Sequence, residues 1–238
     1  MNHRTIAVIP VYGRTPLVRI TVRRLLKVNG CAEVVCVGSL PDDKAACIEE
    51  GAKWVDFPNY FLGAKWNAGF KYAQHFDPDS CLFVGSSDWL SEDWLKVMQP
   101  YLKTRAMVGK LDTYFIDHHK RKGLRAIHWP GYTQSRKGET IGIGRLLSRT
   151  ILEKLAWKPF DGKLNNSLDY SMVQKVASTG GQATACYSDD IAALSISCDQ
   201  WENKHRFDNE AKVPGATSVN AQELIERFKF HELKELFL

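Results

Sequence analysis

The segment Cys81-Leu-Phe-Val-Gly-Ser-Ser-Asp-Trp-Leu-Ser-Glu-Asp-Trp94 is the part of this chain best suited to chemistry. Four apolar residues, Cys81 to Val84, read as a short buried strand, and Ser86 and Ser87 then lead to one acid, Asp88. A carboxylate delivered at the C-terminal end of a buried strand sits where open α/β sheets hold ligands. The chemistry it suits is holding a hard divalent cation against a phosphate. A second feature, Thr140-Ile-Gly-Ile-Gly-Arg145, reads as a tight glycine-rich approach of backbone that brings one cation with it.

The elements that must position these residues alternate along the first hundred positions. Thr5 to Val11 is a strand pattern, Tyr12-Gly13-Arg14 a turn, and Thr15-Pro16 opens a helix, with Thr15 as its cap and Leu17, Ile20, Val22 and Leu25 as its apolar side. Strands follow at 32–37 and 54–57 and helices from Asp42 or Asp43 and over 62–76, before the strand that ends at Asp88. This order predicts a doubly wound, mostly parallel sheet of α/β class. Beyond it we expect a helix over 91–104, a β-prone run at 106–116, helices from 148 or 149 to 155 and over 168–178, and strands at 183–187 and 192–197. Asn220-Ala-Gln-Glu223 has capping-box spacing ahead of a final amphipathic helix carrying Leu224, Ile225, Phe228, Leu233 and Leu236. No linker or repeat interrupts the chain, so one domain is expected.

Bulk properties narrow the class. The 238 residues are 44% hydrophobic and 25% charged, an ordinary globular composition. No apolar run approaches the roughly 20 residues that cross a bilayer, so no transmembrane anchor is expected. The apolar stretch Ile6 to Val11 is broken by Pro10 and reads as a buried strand, not a signal sequence. Six scattered cysteines (Cys31, Cys36, Cys47, Cys81, Cys186, Cys198) lack metal spacing and point to reduced thiols in a cytoplasmic protein. The net charge of +5 is concentrated: residues 118–149 hold eight Lys or Arg against one acid, a net +7 interleaved with Trp129 and Tyr132. That is either a solvated loop or a surface that meets phosphates.

Four segments, spanning roughly residues 5 to 175, together resemble the GT-A glycosyltransferases, in particular the family-two-like group that uses nucleotide-diphosphate sugars. They are Ile9-Pro-Val-Tyr-Gly-Arg14, Gly63-Ala-Lys-Trp-Asn-Ala-Gly-Phe-Lys-Tyr-Ala73, Gly85-Ser-Ser-Asp-Trp-Leu90, and Gly144-Arg145 through Ser167-Leu-Asp-Tyr170. The resemblance implies a single GT-A-like domain with a nucleotide-sugar-binding half at 1–104, an acceptor-side half at 105–200 and a helical tail at 201–238. It implies that Asp88 holds Mn2+ or Mg2+, although Ser86 and Ser87 stand where the group usually has a further acid. His205 is the candidate second ligand. Pro10, Tyr12, Arg14, Lys65, Asn67, Ser86, Ser87 and Arg145 are the expected donor contacts. Asp169 is the expected general base, preceded here by Leu168 in place of a second acid. Trp129 and Tyr132 are the expected acceptor contacts. Gly38-Ser39 occupies the usual place of a base-reading acid, with Asp42 and Asp43 following later.

The implied activity is transfer of a sugar from a nucleotide-diphosphate donor to a hydroxyl of a saccharide or of a hydroxymethylated DNA base, as in phage DNA-modifying enzymes. Two other readings stand beside it: a nucleotidyltransferase of related α/β fold, and a non-catalytic module that binds nucleotide sugar or nucleic acid. The sequence has no Walker loop, no GxGxxG after the first strand, no GxSxG and no HExxH.

Overall fold

The alternating pattern of the N-terminal half builds a sheet whose strands run into one cleft. The computed structural model describes residues 3–119, 123–198 and 207–237. In chain order, β1 (Thr5–Pro10), α1 (Thr15–Leu26), β2 (Cys31–Gly38), α2 (Pro41–Glu49), β3 (Lys53–Asp56), α3 (Leu62–Ala73) and β4 (Ser80–Phe83) form the parallel α/β half. Then come β5 (Asp88–Leu90), α4 (Trp94–Met98), β6 (Met107–Gly109), β7 (Thr113–His119), β8 (Gly123–Trp129) and β9 (Leu146–Ser148). The rest is α5 (Arg149–Lys154), α6 (Leu168–Ser178), β10 (Ala183–Ala185), β11 (Ala193–Cys198), α7 (Phe207–Glu210), β12 (Thr217–Val219), α8 (Ala221–Arg227) and α9 (Lys234–Phe237).

Two sheets result. The larger has the order β10-β6-β9-β4-β1-β2-β3, with β3, β2, β1 and β4 parallel and β9 antiparallel between β4 and β6. The smaller has the order β12-β8-β7-β11-β5 and is antiparallel except between β7 and β11. Residues 1–104 thus contribute β5 to the second sheet, and the expected helical tail supplies its edge strand β12. One face of the larger sheet buries Trp66, Phe70, Phe83 and Phe160, with Trp66 and Phe83 centroids 4.1 Å apart. Each such ring contributes on the order of 2 kcal/mol by burial.

Three local expectations are corrected. Thr15 does not cap α1: Arg14 is the N-cap, in the left-handed region at φ 59°, and the Thr15 hydroxyl donates to Asp43 at 2.7 Å. The helix expected over 91–104 is α only from Trp94 to Met98 and tightens to a 3-10 turn over Gln99–Lys103. Pro100 has no N–H to continue the α-helical ladder. The final helix stops at Arg227, and Lys229 turns left-handed at φ 56°. Buried Arg24 donates to the carbonyls of Lys229 (2.7 Å) and Phe228 (3.4 Å), which a continuous helix would have used itself.

Arg24 also donates to Leu90 O at 2.9 Å and pairs with the buried Glu232 at 3.4 Å. It therefore ties α1, β5 and the C-terminal turn together at one guanidinium. Replacing Arg24 with Met is expected to cost about 3 kcal/mol in urea unfolding, because Glu232 and three carbonyls lose a buried partner. Adding Glu232→Leu is expected to recover part of that loss.

Candidate active site

A cleft of about 480 Å³ opens at the C-terminal ends of β1 and β4, facing the second sheet. Its centre is the turn Gly85–Asp88, which carries the chain from β4 in one sheet to β5 in the other. Gly85 N–H donates to Asp88 Oδ2 at 3.0 Å, and Asp88 N–H donates back to Gly85 O at 3.1 Å. A Cβ on Gly85 would lie 2.4 Å from that carboxylate oxygen, so only glycine admits the folded-back side chain. Across the second sheet, Asp88 is paired in register with Ser195, and Ile196 N–H donates to Ser87 O at 2.9 Å.

Cations enter from the larger sheet. Arg14 donates through Nη2 to Ser86 Oγ at 3.2 Å. Its left-handed backbone is uncommon for a non-glycine residue and is a form of strain that recurs at functional sites. Lys65 is buried on α3, where Nζ donates to Val11 O at 2.5 Å and to Asn59 Oδ1 at 3.1 Å, 5.6 Å from the centroid of Tyr12. Burial lowers the Lys65 ammonium to about 8, with the Asp43 charge opposing. Asp43 itself is fully buried and accepts from Gly13 N–H and Thr15 Oγ, both at 2.7 Å. It closes the β1–α1 turn from α2 and is not a base-reading group.

Asp169 also lines the cleft, from the first turn of α6, two residues after Ser167, which is the N-cap at φ 54°. The Tyr132 hydroxyl donates to Asp169 Oδ2. Burial, and then the Asp169 charge, push the Tyr132 phenol upward. Behind Asp169, Arg145 is fully buried and donates to Asp169 O at 2.6 Å and to Thr140 Oγ1 at 3.1 Å, with Glu139 at 3.3 Å. Gly142 faces the carboxylate, and a Cβ there would lie 2.7 Å from Asp169 Oδ1.

Pro10, Tyr12, Arg14, Lys65, Ser86, Ser87, Asp88, Trp129, Tyr132 and Asp169 all line this one cleft, from segments up to 159 residues apart. Asn67 and Arg145 do not. The Asn67 amide pairs with the backbone of Phe160, donating to its carbonyl at 3.0 Å and accepting from its N–H at 3.1 Å. Arg145 is spent behind the wall on Asp169, Thr140 and Glu139. Both were expected against the donor and instead hold the scaffold. His205 lies outside the described residues, and no group of three His, Cys, Asp or Glu side chains among the described residues could hold a metal ion. Glu210, Ser195, Asn59, Asn165 and Asn166 also line the cleft. No local pattern marks them: Ser195 arrives by strand register with Asp88, and Glu210 rides on a one-turn helix, α7.

Among the described residues, the four arginines of the basic segment are all paired with acids. Arg125 pairs with Asp117 (2.5 Å) and Asp208 (2.9 Å), Arg136 with Glu139 (2.5 Å), and Arg149 with Asp77 (2.6 Å) and Glu153 (2.7 Å). Arg145 is buried, Lys137 is exposed, and residues 120–122 lie outside the described residues. Trp129 and Tyr132 face the cleft, not a basic exterior.

A parallel α/β half joined to a second sheet across such a cleft is a GT-A-like fold, and solved structures share it. One is TarS 1–349 from S. aureus in complex with UDP-GlcNAc: TM-score 0.61, 14% identity, 98% of this chain and 66% of that one covered. Another is the mannosyltransferase PcManGT from Pyrobaculum calidifontis in complex with GDP-Man and Mn2+: TM-score 0.60, 13% identity, 86% of this chain and 59% of that one covered. A third, at TM-score 0.50 and 11% identity, is 4-diphosphocytidyl-2C-methyl-D-erythritol synthase from Anaerococcus prevotii, with 78% of this chain and 89% of that one covered. The chain thus spans about three-fifths to two-thirds of the length of the first two. At these identities the likeness establishes the fold. No family model and no curated protein sequence matches the chain. Among the described residues no helix is long and apolar enough to cross a membrane.

The depressed Lys65 ammonium has a consequence for stability. The unfolded lysine keeps its proton to 10.5, whereas the folded one loses it near 8. The unfolded state therefore binds more protons between these values, and stability rises with pH across that window. Relative to Lys65→Met, the wild type is expected to gain on the order of 2 kcal/mol between pH 8 and 10 in paired urea titrations.

Proposed function

We propose that this chain is a metal-dependent glycosyltransferase that moves a sugar from a nucleotide-diphosphate sugar to a hydroxyl of a saccharide acceptor. The observation that carries the reading is that Asp88, Asp169, Arg14 and Lys65 all line one cleft. Arg14 and Lys65 offer positive charge to a diphosphate, and Tyr12 offers a ring at the mouth. Asp169 accepts the proton of the attacking hydroxyl, which becomes a stronger nucleophile as it approaches the anomeric carbon.

Asp88 is half-buried, offers only oxygen atoms, and lines the cleft together with the hydroxyl residues Ser87 and Ser195. That donor set fits Mn2+ or Mg2+, which take few protein oxygens when phosphates supply the rest. An ion bound there would supply charge against the departing diphosphate. With one carboxylate, the protein alone holds it weakly, so metal and donor bind together.

The saccharide acceptor is favoured over a DNA base because four arginines of the basic segment are already matched by acids, while the wall beside Asp169 is aromatic and amide-rich: Trp129, Phe115, Asn165 and Asn166. Buried and free thiols at Cys36, Cys47, Cys81 and Cys186 support a reducing, cytoplasmic setting.

The test is release of nucleoside diphosphate from a panel of UDP-, GDP- and dTDP-sugars, with and without Mn2+. Wild type is expected to cleave one donor class in Mn2+, Asp88→Ala to lose at least a hundredfold, and Asp169→Asn about 10²–10⁴-fold. Nucleoside diphosphate affinity by calorimetry is expected to fall as pH passes about 8 and to be flat in Lys65→Met. Pyrophosphate released from a nucleoside triphosphate would point to a nucleotidyltransferase instead. Turnover on hydroxymethylated DNA that falls steeply with salt would reassign the acceptor.

A further inference from the structure

We propose that Tyr132 is the positioning residue for Asp169, fixing the carboxylate so that it meets the acceptor hydroxyl in one orientation; the proposal rests on Asp169 being the general base. The Tyr132 hydroxyl donates to Oδ2 of Asp169. Its ring cannot swing away freely, because the Arg136 guanidinium lies 3.6 Å over its centroid and Trp129 packs edge-on at 5.3 Å. Arg136 is in turn gripped by Glu139 through two hydrogen bonds, at 2.8 and 2.5 Å.

The same loop closes on Asp169 from behind. Arg145 holds the Asp169 main-chain carbonyl at 2.6 Å, and Gly142 leaves room for the carboxylate where any side chain would strike both of its oxygens. The backbone of Asp169, one of its oxygens and its rear surface are therefore all set by residues 132–145. A free aspartate side chain samples several rotamers, and a reacting group misplaced by about 1 Å loses up to a hundredfold in rate. The hydroxyl of Tyr132 thus acts through Asp169 and need not touch the sugar.

The experiment is a double-mutant cycle on release of nucleoside diphosphate from whichever UDP- or GDP-sugar the wild type cleaves in Mn2+. Tyr132→Phe keeps the ring and its stacking and removes only the hydrogen bond. We expect about a tenfold loss in kcat with donor KM unchanged, and no further loss when the substitution is added to Asp169→Asn. Gly142→Ala, whose backbone φ suits alanine, should push the carboxylate aside and lower kcat without changing nucleoside diphosphate affinity. Thermal unfolding of Tyr132→Phe within about 2 °C of wild type confirms that the fold is retained.

A full tenfold loss on top of Asp169→Asn would show that Tyr132 acts independently of the acid and would overturn the proposal. Wild-type kcat in Tyr132→Phe would do the same. If Asp169→Asn itself keeps wild-type kcat, the base reading fails and the proposal falls with it. Loss in Asp169→Asn with no effect of Tyr132→Phe leaves that reading standing and removes only the positioning role.

Discussion

The reciprocal hydrogen bonding between Gly85 and Asp88 is the constraint on which the site depends. One tight turn must end a strand of the larger sheet, present a carboxylate to the cleft, and start a strand of the smaller sheet. The turn works because Gly85 has no side chain to displace the folded-back acid. Once β5 is launched, its pairing with β11 brings Ser195 opposite Asp88, and β11 in turn carries β7 and β8 with Phe115 and Trp129. The wall formed by the smaller sheet is therefore registered on the same turn that holds the acid.

Part of the positive charge in this chain is internal scaffolding. Arg24 and Arg145 are fully buried, each satisfied by main-chain carbonyls and an acid, and each links segments distant in sequence. Arg125 does related work at the surface, where Asp117 and Asp208 fasten α7 to β8 and so bring Glu210 to the cleft. A basic run in sequence therefore need not give a basic face. The planar guanidinium, with five donors, suits carbonyl clusters that a lysine would leave partly unsatisfied.

The parallel half was legible because period-two and period-3.6 patterns there are local and uninterrupted; β1 through β4 fall where Thr5–Val11, 32–37, 54–57 and Cys81–Val84 led us to expect them. Ten of the twelve cleft and scaffold positions singled out from motifs and within the described residues line one cavity. The second sheet was not legible as a sheet, since only β7 and β8 are neighbours in sequence and its other strands come from three distant segments. Asn67 and Arg145 misled for a different reason. A polar residue in a ligand-binding motif looks the same in sequence whether its donors meet substrate or a neighbouring backbone, and burial decided for backbone in both.

Asn67 also shows how narrow the tolerance of such a scaffold position is. Its amide offers Phe160 one donor and one acceptor in the spacing that an adjacent strand would provide. Aspartate keeps the shape but has no donor, leucine keeps the volume but has neither group, and glutamine places both a methylene too far. The residue is thus confined to a single amino acid by the main chain of a loop 93 positions away. Movement of that loop keeps the pair only where it leaves the Phe160 peptide in place, so one amide couples two stretches of chain 93 positions apart.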